Sequence, residues 1–275
     1  MLSKLIKHEF RATARIMLPV MGALTALALL ANLSMWGLAS GLSDLPLLRT
    51  LFILIVVFFG IAMIGTAVMA LVIMVSRFYR NLLKDEGYLM LTLPVSVHEL
   101  IWAKLIVSLV WFLLTALLII LVLFFTGLNL ANTNLEMIIA EFPRWSEVRQ
   151  FLEELGIRGQ VMTLVLQGVL VVLLGTLVTC LHFYASMSLG HMFTKNKVFL
   201  SIVLFVVISF VFQLMEVGYG IVGFGNLNPD HISEVKDGLK FASTLTWHGI
   251  VLCVIQGAVL YLATVLGLKR GLNLE

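Results

Sequence analysis

Charge is scarce in this sequence. Asp, Glu, Lys and Arg together make up 12% of it, about half the ~25% of a soluble domain. Hydrophobic residues reach 61% and mean hydropathy is +1.08, so lipid rather than water must solvate most of the chain. Cysteine is scarcer still. Cys180 and Cys253 both lie in apolar runs with no Cys-x-x-Cys, which excludes a disulfide framework and reads as two buried, inert thiols. No Gly-Lys dipeptide occurs, so the chain lacks GxxxxGK[ST] and cannot hydrolyse ATP in the P-loop manner. His182, His191 and His248 have no metal-ligand spacing, and no Ser/His/Asp or HExxH arrangement appears. Gly218, Gly220 and Gly223 fit GxGxxG, but that pattern needs a strand before it and a βαβ unit around it. Here it follows an apolar run and reads as chance spacing in a turn.

What is present is long charge-free windows. Cutting at each charge leaves six of them, at 16–43, 50–76, 105–135, 159–194, 198–215 and 241–268. Each reaches the ~17 residues that a membrane span needs at least, the fifth narrowly with 18. The chain therefore reads as an all-α membrane protein of one domain, 1–275, with six transmembrane helices. Six spans put both termini on one side. With the termini, 77–104 and 195–197 inside, the inner side holds 12 Lys and Arg and the outer side 6. That bias puts both termini in the cytoplasm. The middle of each window lacks Asp, Glu, Lys and Arg. Ion-coupled carriers keep ionisable groups at mid-membrane, so their absence favours an external energy source. The neutral Gln167, Gln213 and Gln256 remain; Gln167 and Gln213 suit helix bridging better than cargo contact.

Four segments outside the spans carry pattern. Residues 1–17 place Leu2, Leu5, Ile6, Phe10 and Met17 on one helical face, with Lys4, Lys7, His8, Arg11 and Arg15 around the other. That predicts a basic amphipathic helix on the anionic inner leaflet, bending at Pro19 into the first span. The segment 77–99 is a structured cytoplasmic loop. Phe78, Leu82, Leu83 and Glu86 keep helical spacing, Gly87 stops that helix, Pro94 breaks the chain, and Ser96 and Glu99 form a capping box. In the acidic outer loop 128–158, Val148, Phe151, Leu152 and Leu155 predict a second amphipathic helix capped by Ser146 and stopped by Gly156. The glycine-rich stretch 216–246 predicts a re-entrant excursion between the last two spans.

Residues 1–15 and 76–96, with this topology, resemble the membrane subunit of an ABC-2 type exporter, similar to Gram-positive permeases for phenol-soluble modulins or bacteriocins. The resemblance implies an interfacial helix at 1–17 and a coupling helix between spans two and three. Arg80, Asn81, Lys84, Asp85, Glu86, Gly87 and Tyr88 would then meet an ATP-binding subunit, which holds the ATP and Mg; this chain would bind no cofactor and be no enzyme itself. It implies twelve spans from two copies or a paralogue, in a bacterial plasma membrane. Ala26, Gly65 and Gln213 are expected at the seam between copies. Partners would be that ATPase, a second permease and lipid, with no nucleic acid. The cargo is expected to be hydrophobic or amphipathic, a peptide or toxin, with lipid, drug or polysaccharide open. The competing classes are an ion-coupled carrier and an intramembrane enzyme.

Overall fold

The computed structural model describes residues 2–39, 45–84, 95–130, 144–193, 196–224 and 235–270. They form seven α-helices: α1 Leu2–Ala39, α2 Pro46–Leu82, α3 Val97–Leu130, α4 Trp145–Glu154, α5 Arg158–Gly190, α6 Lys197–Phe224 and α7 Val235–Arg270. No strand occurs among the described residues. All but α4 are long and apolar enough to cross a membrane, so the described residues carry six candidate spans.

Helix α1 differs from expectation. It is one helix of 38 residues with Pro19 inside it, ~57 Å by the helical rise. The buried positions Glu9, Thr13, Met17, Leu24, Ala28 and Ala31 keep helical spacing through Pro19. One continuous buried stripe thus runs along the whole element, and no separate surface helix ends at residue 17. Proline removes the bond its N–H would have made one turn back and crowds the carbonyl there, a cost that the helix bears at Pro19.

Two compact units can be described separately. One comprises Met1–Met74 and Ile106–Pro143, the other Val75–Leu105 and Arg144–Glu275. In the first, Met17, Ala70, Ile73, Met74, Val107 and Trp111 form one buried cluster. Leu24, Ala28, Ala31, Phe59 and Val122 form another. Polar bridges lie between the same helices. Trp111 Nε1 donates to Thr13 Oγ1 at 2.7 Å, and Asn32 Nδ2 reaches Thr126 Oγ1 at 3.3 Å.

In the second unit α5 packs along both α6 and α7. Small residues permit close approach. A Cβ on Gly190 would stand 2.7 Å from Ser201 Cα, and one on Gly267 would stand 2.9 Å from the Ser188 carbonyl carbon. Thr246 Oγ1 donates to Gln167 Oε1 at 2.8 Å, so Gln167 bridges α5 and α7 as its neutral amide suggested.

The N-cap of α4 lies two residues before the expected one. Arg144 is its N-cap, and Glu147 Oε2 accepts the Arg144 backbone N–H at 3.2 Å. A carboxylate three residues in can cap this way, and Ser146 lies inside the helix. The end is as expected. Gly156 has φ +63°; its N–H reaches Glu153 O at 3.0 Å, and that of Ile157 reaches Leu152 O at 3.0 Å. This pair of bonds is a Schellman motif, which needs the left-handed residue.

Candidate functional site

The segment 77–99 was singled out by sequence, and its first part is the end of α2 rather than a separate helix. Phe78, Leu82 and Leu83 are buried together with Asn81. Phe78 stacks on Tyr184 of α5, with ring centroids 3.9 Å apart and planes 9° apart. Tyr79 meets His191 edge-on at 5.3 Å. Arg80 and Lys84 stay exposed, and Lys84 Nζ lies 5.5 Å from the Tyr79 ring centroid. The apolar face expected of a short amphipathic helix is thus buried, with Phe78 against Tyr184 of α5, and the basic groups Arg80 and Lys84 are outward. Asp85, Glu86, Gly87 and Tyr88, and the break at Pro94, lie outside the described residues. The capping box at the far side is present. Ser96 N–H donates to Glu99 Oε2 at 3.1 Å, and Glu99 N–H to Ser96 Oγ at 3.2 Å. Between the two box residues, His98 Nδ1 lies 2.6 Å from the Tyr261 hydroxyl of α7.

His191 closes α5 as its C-cap. Its Nδ1 lies 2.9 Å from the Met187 carbonyl. Burial pushes the imidazole below its ordinary value, and the Lys197 charge adds to that against the Met187 hydrogen bond.

In the amino-terminal part of α1, Lys4, Lys7, Arg11 and Arg15 are exposed. Phe10 has a protein partner instead of lying free on the apolar face: it stacks on Trp111 at 5.0 Å. Ala26 and Gly65 are exposed, and nothing lies within 4 Å of a Cβ built on Gly65. Gln213 is exposed too, but on the wall of a cavity.

That cavity was not foreseen. It holds about 340 Å³ between α5, α6 and α7. On one wall His182 Nε2 lies 3.3 Å from the Phe205 carbonyl and 3.2 Å from Ser209 Oγ. A ring nitrogen facing a carbonyl carries the hydrogen. On another wall Gln256 Nε2 donates to Glu216 Oε1 at 3.0 Å. By the helical rise Gln256 stands ~20 Å from Lys269 and ~24 Å from Lys240, deep within its span. The middle of each charge-free window lacks Asp, Glu, Lys and Arg, but a carboxylate of the neighbouring helix reaches Gln256. Glu216 closes the fifth charge-free window, but α6 runs on past it to Phe224. Cutting the sequence at charges therefore placed Glu216 at a boundary that the helix does not have.

The continuation of α6 also bears on 216–246. Residues 216–224 and 235–246 are helical extensions of α6 and α7, and 225–234 lie outside the described residues. The GxGxxG spacing sits inside a helix, not in a turn.

Among the described residues, no group of three or more His, Cys, Asp or Glu stands in metal-binding geometry. Compared with family models, curated proteins and solved structures, the chain matches none.

Proposed function

We infer that this multi-pass membrane protein is the permease subunit of an ATP-driven exporter of hydrophobic or amphipathic cargo. It pairs with a separate ATP-binding subunit, which holds ATP and Mg, and with a second copy or a paralogue in a bacterial plasma membrane, both termini cytoplasmic. The observation that carries this reading is the seated end of α2. Phe78, Leu82 and Leu83 anchor it while Arg80 and Lys84 face outward. A tip whose apolar side chains are buried and whose charges face outward suits the receipt of force from a soluble partner. The test is purification from native membranes in mild detergent. A stoichiometric chain carrying GxxxxGK[ST] and hydrolysing ATP is expected, and Arg80→Glu with Lys84→Glu should release it. Retention of the ATPase by that double variant counts against the contact.

One observation favours a second reading, an ion-coupled carrier: the Glu216–Gln256 pair joining two candidate spans. Ionisable groups within membrane spans mark ion and proton pathways. Transport in vesicles driven by an ion gradient without ATP would establish that class instead.

A further inference from the structure

We propose that the cavity between α5, α6 and α7 binds the cationic head of a membrane-partitioned amphiphile, with Glu216 as its counter-charge.

The cavity has the parts such a ligand requires. Glu216 is exposed in the cavity wall and takes one hydrogen bond, from the Gln256 amide. No Lys or Arg among the described residues forms an ion pair with it. A carboxylate within a span is costly unless something of opposite charge or strong donor character meets it. Gln256 supplies one donor, to Oε1, and Glu216 lines the cavity.

The other walls select among cations. Phe183, Phe205 and Phe212 line the cavity, and rings attract an ammonium through their faces while packing against an apolar body. Ser209 and Gln213 add neutral oxygens. A bare calcium ion takes six to eight oxygens at short range, and one carboxylate with a few neutral groups falls short of that. The volume, about 340 Å³, also exceeds the need of a single ion. A sulfate or phosphate head would meet Glu216 as a like charge. These features together favour a primary or quaternary ammonium, or an equivalent delocalised cation, attached to apolar groups.

That the bound cation is cargo rests on the permease reading above. Binding itself does not, so the measurement uses the chain alone, and a failure there leaves the ATPase contact untouched. The probe is tritiated tetraphenylphosphonium, bound to the full chain in nanodiscs of neutral lipid. Saturable binding is expected, displaced by dodecyltrimethylammonium but not by dodecyl sulfate or sodium. Glu216→Gln keeps the shape and the Gln256 contact and should weaken binding at least about tenfold. Phe212→Leu should weaken it roughly threefold, the size of one cation–ring contact. It keeps the test decisive should Glu216→Gln fail to fold. Equal affinity in the folded variants and the parent overturns the proposal. So does displacement by dodecyl sulfate as effective as that by dodecyltrimethylammonium, which marks a merely apolar surface. Displacement by sodium but not by dodecyltrimethylammonium overturns it in favour of a bare-cation site.

Discussion

Trp111 gives its indole hydrogen to the hydroxyl of Thr13 at 2.7 Å, and Thr13 gives its own to the carbonyls of Glu9 and Phe10. Both side chains are 1% exposed. The bond joins α3 to α1 where Phe10 also stacks on Trp111. Replacing Thr13 by Val keeps the shape and leaves the indole N–H buried without its acceptor, at a cost of about 1–3 kcal/mol. Thr13→Ser should restore most of it. In a double-mutant cycle, Thr13→Val with Trp111→Phe should cost less than the sum of the singles. Denaturant unfolding in detergent reads all four proteins.

Glycine positions separate into two kinds. Gly190 and Gly267 stand against the backbone of Ser201 and Ser188. Alanine at either forces helices apart, and a loss of about 1–3 kcal/mol is expected. Gly60 and Gly65 have nothing within 4 Å of an added Cβ. Alanine there should be neutral or stabilise by up to about 1 kcal/mol, since it favours helix over the unfolded chain. Melting temperatures of the four variants test the contrast; equal effects would show that helix spacing in the second unit does not depend on the small residues.

What the sequence revealed followed the range of the interactions involved. The Ser96–Glu99 box and the Gly156 stop are complete within a few residues, so composition and spacing suffice to find them. The six spans are equally local, because each needs only an unbroken apolar run. The Glu216–Gln256 pair joins residues from α6 and α7, and no periodicity within either helix announces it. The fate of Phe78 was half legible. Its spacing marked an apolar face, but only packing showed that Tyr184 of α5 takes that face. Pro19 marked a place for a boundary, but the helix runs through it, and only packing shows the buried positions from Glu9 to Ala31 that continue on both sides.

His191 should give the protein a pH dependence. Its pKa is depressed in the folded state by burial, with the Lys197 charge adding to it. The unfolded chain therefore binds a proton before the folded one does. Stability is complete above the ordinary value of 6.5, declines as pH falls from there, and is lost once pH has passed through the lower folded value. His191→Gln should flatten that decline between pH 7 and pH 5, roughly the range in which imidazole titrates. Melting temperatures across that range decide it: an unchanged slope in the variant assigns the dependence to another group.

Phe78 should be the costliest single truncation at the end of α2. It is 0% exposed and stacked on Tyr184. Phe78→Ala removes the ring from a packed site, for a loss of about 3–5 kcal/mol, whereas Phe78→Leu should cost less than half of that. If the tip transmits force, Phe78→Leu should also lower transport per ATP hydrolysed while the ATPase stays bound. Transport that falls only in proportion to the amount of folded protein would assign Phe78 to stability alone.

The pathway is expected between two copies. Ala26 and Gly65 are exposed in the first unit, and neither Gly22 nor Gly65 has a neighbour within 4 Å of an added Cβ. Small residues left uncovered in one chain allow close approach by a second. Gln213 has a competing role, because it lines the cavity of its own chain. The two ideas make different demands on cross-linking. With Cys180 and Cys253 replaced, single cysteines at Ala26 and Gly65 should trap a dimer in membranes, and the trapped form should lose transport. A cysteine at Gln213 should cross-link only if the cavity opens onto the seam, and its reaction should then be slowed by tetraphenylphosphonium. Cross-links confined to exposed positions such as Leu117 of α3 or Val169 of α5 would place the contact between copies elsewhere and remove the seam from this reading.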